Sequence, residues 1–188
     1  MRQYKCLNNV EWSKGSYKLT SLRDEDKYQI LKWRNEQIDI LRQKTLLTKD
    51  DQETYFKNVV GELFLKDKPG QILFSFFYEN IFIGYGGLVH IDWESKNAEI
   101  SFLIDTKRDN ETELFIYDFK NYLQLLIDIG FNELKFIKLH TTVYDIPQRA
   151  TYINTIKEIG FVEEAKLQKH ILINGQLTNV FIYSYFKN

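Results

Sequence analysis

Few residues of this 188-residue chain are of types that do chemistry, and their spacing narrows what they can do. The one cysteine, Cys6, cannot form an internal disulfide, and no cysteine pair has zinc-ligand spacing. His90, His140 and His170 fall in three separate strand-like runs without carboxylates at metal spacing, so no metal site is expected. Glu99 stands in NAEISFLID, where Ala98, Ile100, Phe102 and Ile104 alternate with Glu99, Ser101 and Leu103. A carboxylate on the polar face of such a strand can accept a proton; a solvated or salt-bridged glutamate fits the same pattern. Trp33-Arg34-Asn35 closes a helical segment, and Arg42 follows in the next loop. An arginine there can bind a carboxylate or a phosphate bidentately, whereas the plainer reading buries Trp33 and lets Arg34 and Asn35 cap the helix.

Composition excludes several function classes. The net charge is −1 and no basic block stands out, so sequence-independent nucleic-acid binding has little electrostatic support. The N-terminus lacks the apolar run of a signal peptide, and no stretch approaches the roughly 20 apolar residues that span a bilayer. No nucleic-acid or membrane partner is expected, and the setting expected is the reducing cytoplasm. With 9 Gly and 2 Pro, long linkers are not expected. A single domain over 1–188 is, with 1–15 as an irregular polar arm.

The elements that must position these residues follow from periodicity. Tyr17 to Leu22 reads as a short strand and Asp24 to Trp33 as a short amphipathic helix. Thr48 is a plausible N-cap, with Asp50 and Asp51 in the first turn of a second helix that buries Tyr55, Phe56, Val59 and Val60. Gln71 to Tyr78 and Ile81 to Val89 form a hairpin about Glu79-Asn80, and Ala98 to Ile104 follows after a polar turn. Thr112 to Ile129 is the clearest helix, with Gly130 as its stop. Leu134 to Val143 is a strand, Ala150 to Ile159 a helix closed by Gly160, and Ala165 to Ile173 pairs with Leu177 to Phe186 through Asn174-Gly175-Gln176. The order β-α-α-β-β-β-α-β-α-β-β predicts an α+β fold, a central mixed twisted sheet of about seven strands flanked by about four helices.

Three segments carry a resemblance. DKYQILKWRN, IGYGGLVHIDWESKNAEISFLID and NTIKEIGFVEEAKLQKHILINGQLTNVFIYSYF, in this order, resemble the first helix, the third and fourth strands and the C-terminal third of GNAT-superfamily N-acetyltransferases. The nearest branches are those that acetylate ribosomal-protein N-termini and amino sugars. The resemblance implies a GNAT fold over nearly the whole chain and acetyl-CoA as the acyl donor. Its pantetheine arm would lie along Phe102, Leu103 and Ile104, beside a gap between diverging strands. The family's Arg/Gln-x-x-Gly-x-Gly/Ala turn, which holds the pyrophosphate, corresponds to glycine-free Asp105 to Thr112. There Lys107 and Arg108 offer charge, Asp109-Asn110 is expected to complete a distorted loop, and Asp109 and Glu111 oppose the anion. An ordinary solvated turn entering a helix is the competing reading.

On the same resemblance Glu99 is the expected general base. The family's usual tyrosine acid is replaced by Ile156, leaving Tyr152 one turn earlier, with Tyr144 and Tyr183 as weaker candidates. The position of Cys6 before the sheet favours direct attack over an acetyl-cysteine route. Trp33, Arg34, Asn35 and Arg42 would form the acceptor wall. The acceptor expected is a small-molecule amine such as a nucleotide-linked amino sugar. A protein N-terminus and a non-catalytic domain binding acyl-CoA or a partner are the alternatives, and a longer acyl-CoA or carrier-bound donor also stands open. A monomer or a homodimer is expected.

Overall fold

The computed structural model describes residues 2–41, 43–173 and 175–187. Its strands are β1 (Glu11–Lys14), β2 (Tyr17–Ser21), β3 (Ile72–Tyr78), β4 (Ile81–Asp92), β5 (Asn97–Ile104), β6 (Lys138–Tyr144), β7 (Val162–Ile173) and β8 (Gln176–Phe186). They form one eight-stranded sheet in the order β1-β2-β3-β4-β5-β6-β8-β7. Neighbours are antiparallel throughout except at β5 and β6, which run parallel. The helices are α1 (Lys27–Glu36), α2 (Lys49–Tyr55), α3 (Gly61–Leu63), α4 (Thr106–Asp109), α5 (Thr112–Asp128) and α6 (Ala150–Ile159). Ile72 to Phe77 are buried without a break, so the centre of the sheet is covered on both faces.

Local signals act where the sequence places them. Glu79 and Asn80 both have positive φ, 48° and 65°, the requirement of a two-residue hairpin whose twist matches its strands. Thr48 and Asp51 form a reciprocal capping box at the start of α2, a device whose loss costs about 1 kcal/mol. Gly160 ends α6 in the left-handed region, its N–H donating to the carbonyls of Ile156 and Lys157.

Four details differ from the sequence reading. The strand count is eight, because Glu11–Lys14 of the polar arm pairs with β2. This edge strand buries little, so it shows no apolar alternation. Tyr4 and Leu7 of the same arm are buried, and the Tyr4 hydroxyl both donates to the Leu73 carbonyl and accepts from the Leu73 N–H at 2.9 Å. Second, α2 runs on through a π-turn (Phe56–Val60), and Val59 is exposed rather than buried with Val60. Third, Gly130 does not stop α5. The chain continues through a π-turn (Ile129–Glu133), where a Cβ on Gly130 would stand 3.1 Å from the Leu139 side chain, a tight contact to which that side chain would have to yield. Fourth, β6 starts at Lys138; Leu134 ends the π-turn and Lys135 has φ 60°.

The glycines of β4 let the sheet approach α5. The Tyr122 hydroxyl, fully buried under the sheet, donates to the Ser101 carbonyl at 2.7 Å. A Cβ on Gly86 would stand 2.8 Å from the Ser101 carbonyl carbon and closer still to both oxygens of that bond. Gly86→Ala is expected to destabilise the protein by about 1–3 kcal/mol, the usual range for overpacking. Chemical denaturation would read this as a lower midpoint with an unchanged slope.

Candidate active site

The parallel ladder between β5 and β6 covers Asn97↔Lys138, Ala98↔Leu139 and Glu99↔His140, and there it stops. The two strands diverge beyond it, while β5 stays paired with β4 as far as Ile104↔Gly84. Because a strand's main-chain groups alternate between its two sides, those of Ile100–Ile104 that are not used by β4 face the gap. A cavity of about 220 Å³ occupies this gap, lined among others by Arg34, Tyr85, Glu99, Tyr144, Arg149 and Tyr152. At its outer end the Ile104 carbonyl accepts from Gln37 Nε2 at 2.7 Å. Gln37 Nε2 also reaches Thr106 Oγ1 at 3.2 Å, and that hydroxyl donates to Glu36 at 2.6 Å.

Tyr152 and Glu99 both border the cavity. The Tyr152 hydroxyl lies 2.9 Å from Thr141 Oγ1 on β6, and its ring packs 4.4 Å from that of Phe119. Glu99 is 8% exposed, and its Oε2 lies 3.7 Å from Nε2 of His90. A second groove runs outward between the segment after α1 and the β7–β8 hairpin, sharing Leu41, Glu99, Thr142 and Tyr144 with the first. Glu99 therefore stands where the two spaces meet. Asp39 and Lys44 lie on one wall of the groove; His170 and a run of aliphatic side chains form the other.

The segment expected to hold a pyrophosphate is helical rather than a distorted loop. The Asp105 carboxylate caps α4 by accepting from Lys107 N–H at 2.9 Å. The amides of Asp109, Asn110 and Glu111 donate to the carbonyls of Asp105, Thr106 and Arg108. No residue from Asp105 to Thr112 has positive φ, so Asp109 and Asn110 do not bend the chain as their types suggested. Arg108 is not turned to an incoming anion either. Its Nε and Nη2 form a double bridge at 2.6 and 2.8 Å to Asp118, which is fully buried and also accepts from the Tyr17 hydroxyl. Burial and this bond raise the Tyr17 hydroxyl above its ordinary range. Lys107 remains exposed. Helix geometry leaves the amides of Thr112 and the next two residues of α5 without intrahelical partners.

The other expected site residues divide. Phe102 and Leu103 line the cavity, and the Phe102 ring packs 4.5 Å from Tyr122 and 4.7 Å from Phe119. Trp33 is 2% exposed and packs 5.0 Å from Phe82, so it serves the core rather than an acceptor wall. Asn35 pins the chain after α1, accepting from Leu47 N–H and Gln43 and donating to the Leu47 carbonyl, all at 2.9 Å. Arg34 does reach the gap, where it donates to the Tyr85 hydroxyl at 2.9 Å and to Gln43 at 3.1 Å. Arg42 lies outside the described residues.

Gln37 and Arg149 were not legible as site residues. Gln37 is a polar residue just past α1, yet it is buried. Arg149 follows the Pro147 turn; it donates to the Ile40 carbonyl at 3.0 Å and lies 5.3 Å from the centre of the Tyr152 ring. Ring and cation together were the only signal available, and neither has a diagnostic spacing.

Residues 19–180 match the family model described as an acetyltransferase (GNAT) domain. Among curated proteins none matches the chain. Among solved structures, the spermidine N-acetyltransferase of Vibrio cholerae in complex with CoA and spermine superposes with a TM-score of 0.78 at 18% identity, covering 92% of this chain and 96% of that one. A dodecameric structure of the Vibrio cholerae enzyme gives 0.73 at 19% identity, with 92% and 95% covered. At such identities the likeness establishes the fold.

Asp109 supplies a test of the electrostatics at the gap's rim. Burial raises its carboxyl above the ordinary range, and Arg149 works against that shift. A folded-state value above the unfolded one means that ionisation costs stability as pH rises through the window between them, and that the cost persists above it. Asp109→Asn is therefore expected to melt higher than the parent protein at pH 7. The difference should vanish near pH 3, where both states hold the proton. Equal melting temperatures at pH 7 would mean that the carboxylate is fully solvated.

Proposed function

The chain belongs to the GNAT acetyltransferase family, and from that premise we propose that it moves an acetyl group from acetyl-CoA to the primary amine of a small molecule by direct attack. The observation that carries this reading is the meeting of two spaces at Glu99: a gap bordered by half-unpaired main chain, and a groove open to a second substrate. The residues present fit the donor in kind. Main-chain groups of Ile100–Ile104 can pair with the amides of a pantetheine arm. The first amides of α5, with Arg149 and Lys107 near the rim, offer positive potential to a pyrophosphate. Bound there, acetyl-CoA supplies the activated thioester.

The protein's part is deprotonation, alignment and proton return. Glu99 takes one proton from the ammonium and the neutral nitrogen attacks the carbonyl carbon; as the carbon–sulfur bond breaks, the nitrogen gives up its second proton, which replaces the one supplied to the departing thiolate. Tyr152 can return a proton to the thiolate; its hydroxyl is held by Thr141, a partner able to accept or donate as the proton moves. Burial of Glu99 beside the gap strengthens its interaction with a cation in the shared space. The groove favours an acceptor with a partly apolar body. Among the described residues its lining carries the carboxylates Asp39 and Glu99 and the bases Lys44 and His170, beside a run of aliphatic side chains.

A non-catalytic acyl-CoA-binding domain is the second reading. The isoleucine at 156 favours it, whereas the helical α4 and the diversion of Arg108 to Asp118 weaken the phosphate end under either reading. Calorimetry with acetyl-CoA, then thiol release across amino sugars, polyamines and aryl-alkyl amines, separates the two. Turnover with one class supports transfer; binding without turnover supports the second reading. Glu99→Gln is expected to lower kcat about 100-fold at pH 7 with little change in KM for acetyl-CoA. The deficit should shrink as pH rises towards the amine's own pKa, because more acceptor is then already neutral. An unchanged kcat would remove Glu99 as the base.

A further inference from the structure

The contact between Glu99 and His90 is produced by an irregularity in the sheet. Val89 pairs with Glu99, but the next recorded pair is Asp92↔Asn97, so His90 and Ile91 together oppose Ala98. This is a β-bulge. His90 sits in it at φ 49°, in the left-handed region that a residue with a Cβ enters at a cost. In an unbroken strand His90 would point to the face opposite Val89, and hence away from Glu99, which shares Val89's face. The bulge breaks that alternation and brings Nε2 of His90 to 3.7 Å from Oε2 of Glu99. The two side chains differ sharply in access: 66% exposed for His90 and 10% for Glu99. Backbone strain at such a point is a recognised companion of function.

We propose that His90 is a proton-relay residue acting through Glu99, carrying to solvent the proton that the carboxylate takes from the acceptor amine. This inference rests on the acetyl-transfer reading and assigns no contact between His90 and substrate. In each turnover the ammonium proton passes to Glu99 and on, through a water bridging the 3.7 Å between the two groups, to one imidazole nitrogen, while the other nitrogen releases a proton to water, returning the carboxylate to its ionised form. No electrons are exchanged beyond those of the N–C bond formed and the C–S bond broken. Among the described residues, His140 stands within electrostatic reach of both members of the pair, and of Lys138 on β6 and Glu164 on β7. His140 is the rival for the role, being the register partner of Glu99. Burial lowers its pKa, and its Nδ1 is enclosed without a hydrogen-bond partner among the described residues, so it takes a proton less readily than a solvated imidazole.

His90→Gln, Glu99→Gln and the double variant test this with the amine that the intact protein acetylates. Because His90 is exposed, its replacement should not disturb folding. The expected result for His90→Gln is a kcat lower by about tenfold, smaller than the loss of the base itself. KM for acetyl-CoA should be unchanged, and added imidazole should restore the rate. Imidazole should not restore Glu99→Gln, and the double variant should be no slower than Glu99→Gln, since the two steps are in series. A wild-type kcat in His90→Gln, a loss that imidazole does not relieve, or a further loss in the double variant overturns the relay while leaving Glu99 as the base. A wild-type kcat in Glu99→Gln, or no turnover with any amine, overturns the relay together with the reading beneath it.

Discussion

A parallel ladder that ends after three residue pairs obliges a protein to dispose of the main-chain groups it leaves behind. Buried N–H and C=O groups without partners are costly, so a splayed pair of strands persists only where water, side chains or a ligand fill the wedge. Here the wedge is filled from three directions. Gln37 takes the Ile104 carbonyl at the outer end, the Thr141–Tyr152 pair occupies the β6 side, and Arg149 ties the segment after α1 to the start of α6. On the opposite side of β5, Tyr122 holds the Ser101 carbonyl through the space that Gly86 vacates. What remains between them is a slot with main-chain groups along one wall, suited to an extended ligand that carries amides of its own.

The same economy explains the altered approach to α5. Asp118 is fully buried, and an ionised carboxylate in that position needs a cation and hydrogen bonds. Arg108 and the Tyr17 hydroxyl supply them. Arg108 can do so only from a backbone that turns back towards α5, which α4 provides by using the local amides in its own helical bonds. Structural demand at Asp118 has thus removed one cation and several donors from the rim. The positive end of α5 is left as the principal attraction for phosphate, with Glu111 and Glu113 reducing it.

How much of this was legible in the sequence depends on whether the determinant is local. The Glu79-Asn80 turn, the Thr48–Asp51 cap and the left-handed Gly160 are set by residues within four positions of one another, and each was readable. The order of elements and the family resemblance were readable for the same reason, as was the alternation that puts Glu99 on the polar face. Gly130 was misread because a glycine packed close against the Leu139 side chain looks the same in sequence as one that ends a helix at positive φ. β1 was missed because an edge strand buries too little to show a pattern. Gln37, Arg149 and the diversion of Arg108 depend on contacts far apart in sequence, and no periodicity announces those.

The outward groove shows the same dependence on backbone detail. Its inner wall is β7 paired with β8, and that ladder slips twice, between Glu163 and Ala165 and between Leu167 and Ile171. The second slip holds Lys169 at φ 48°, where its N–H is met by the Asn179 side chain at 3.0 Å. Each slip changes which side chains face the groove, just as the bulge at His90 changes what faces Glu99. A motif fixes the regular frame of such a fold, whereas the irregularities fix what the frame presents to a ligand. Because a bulge needs only one residue to tolerate an unusual φ, two chains of this frame can share every element and differ in acceptor. What faces the groove is therefore set in part by a few backbone conformations, which neither composition nor overall superposition reports.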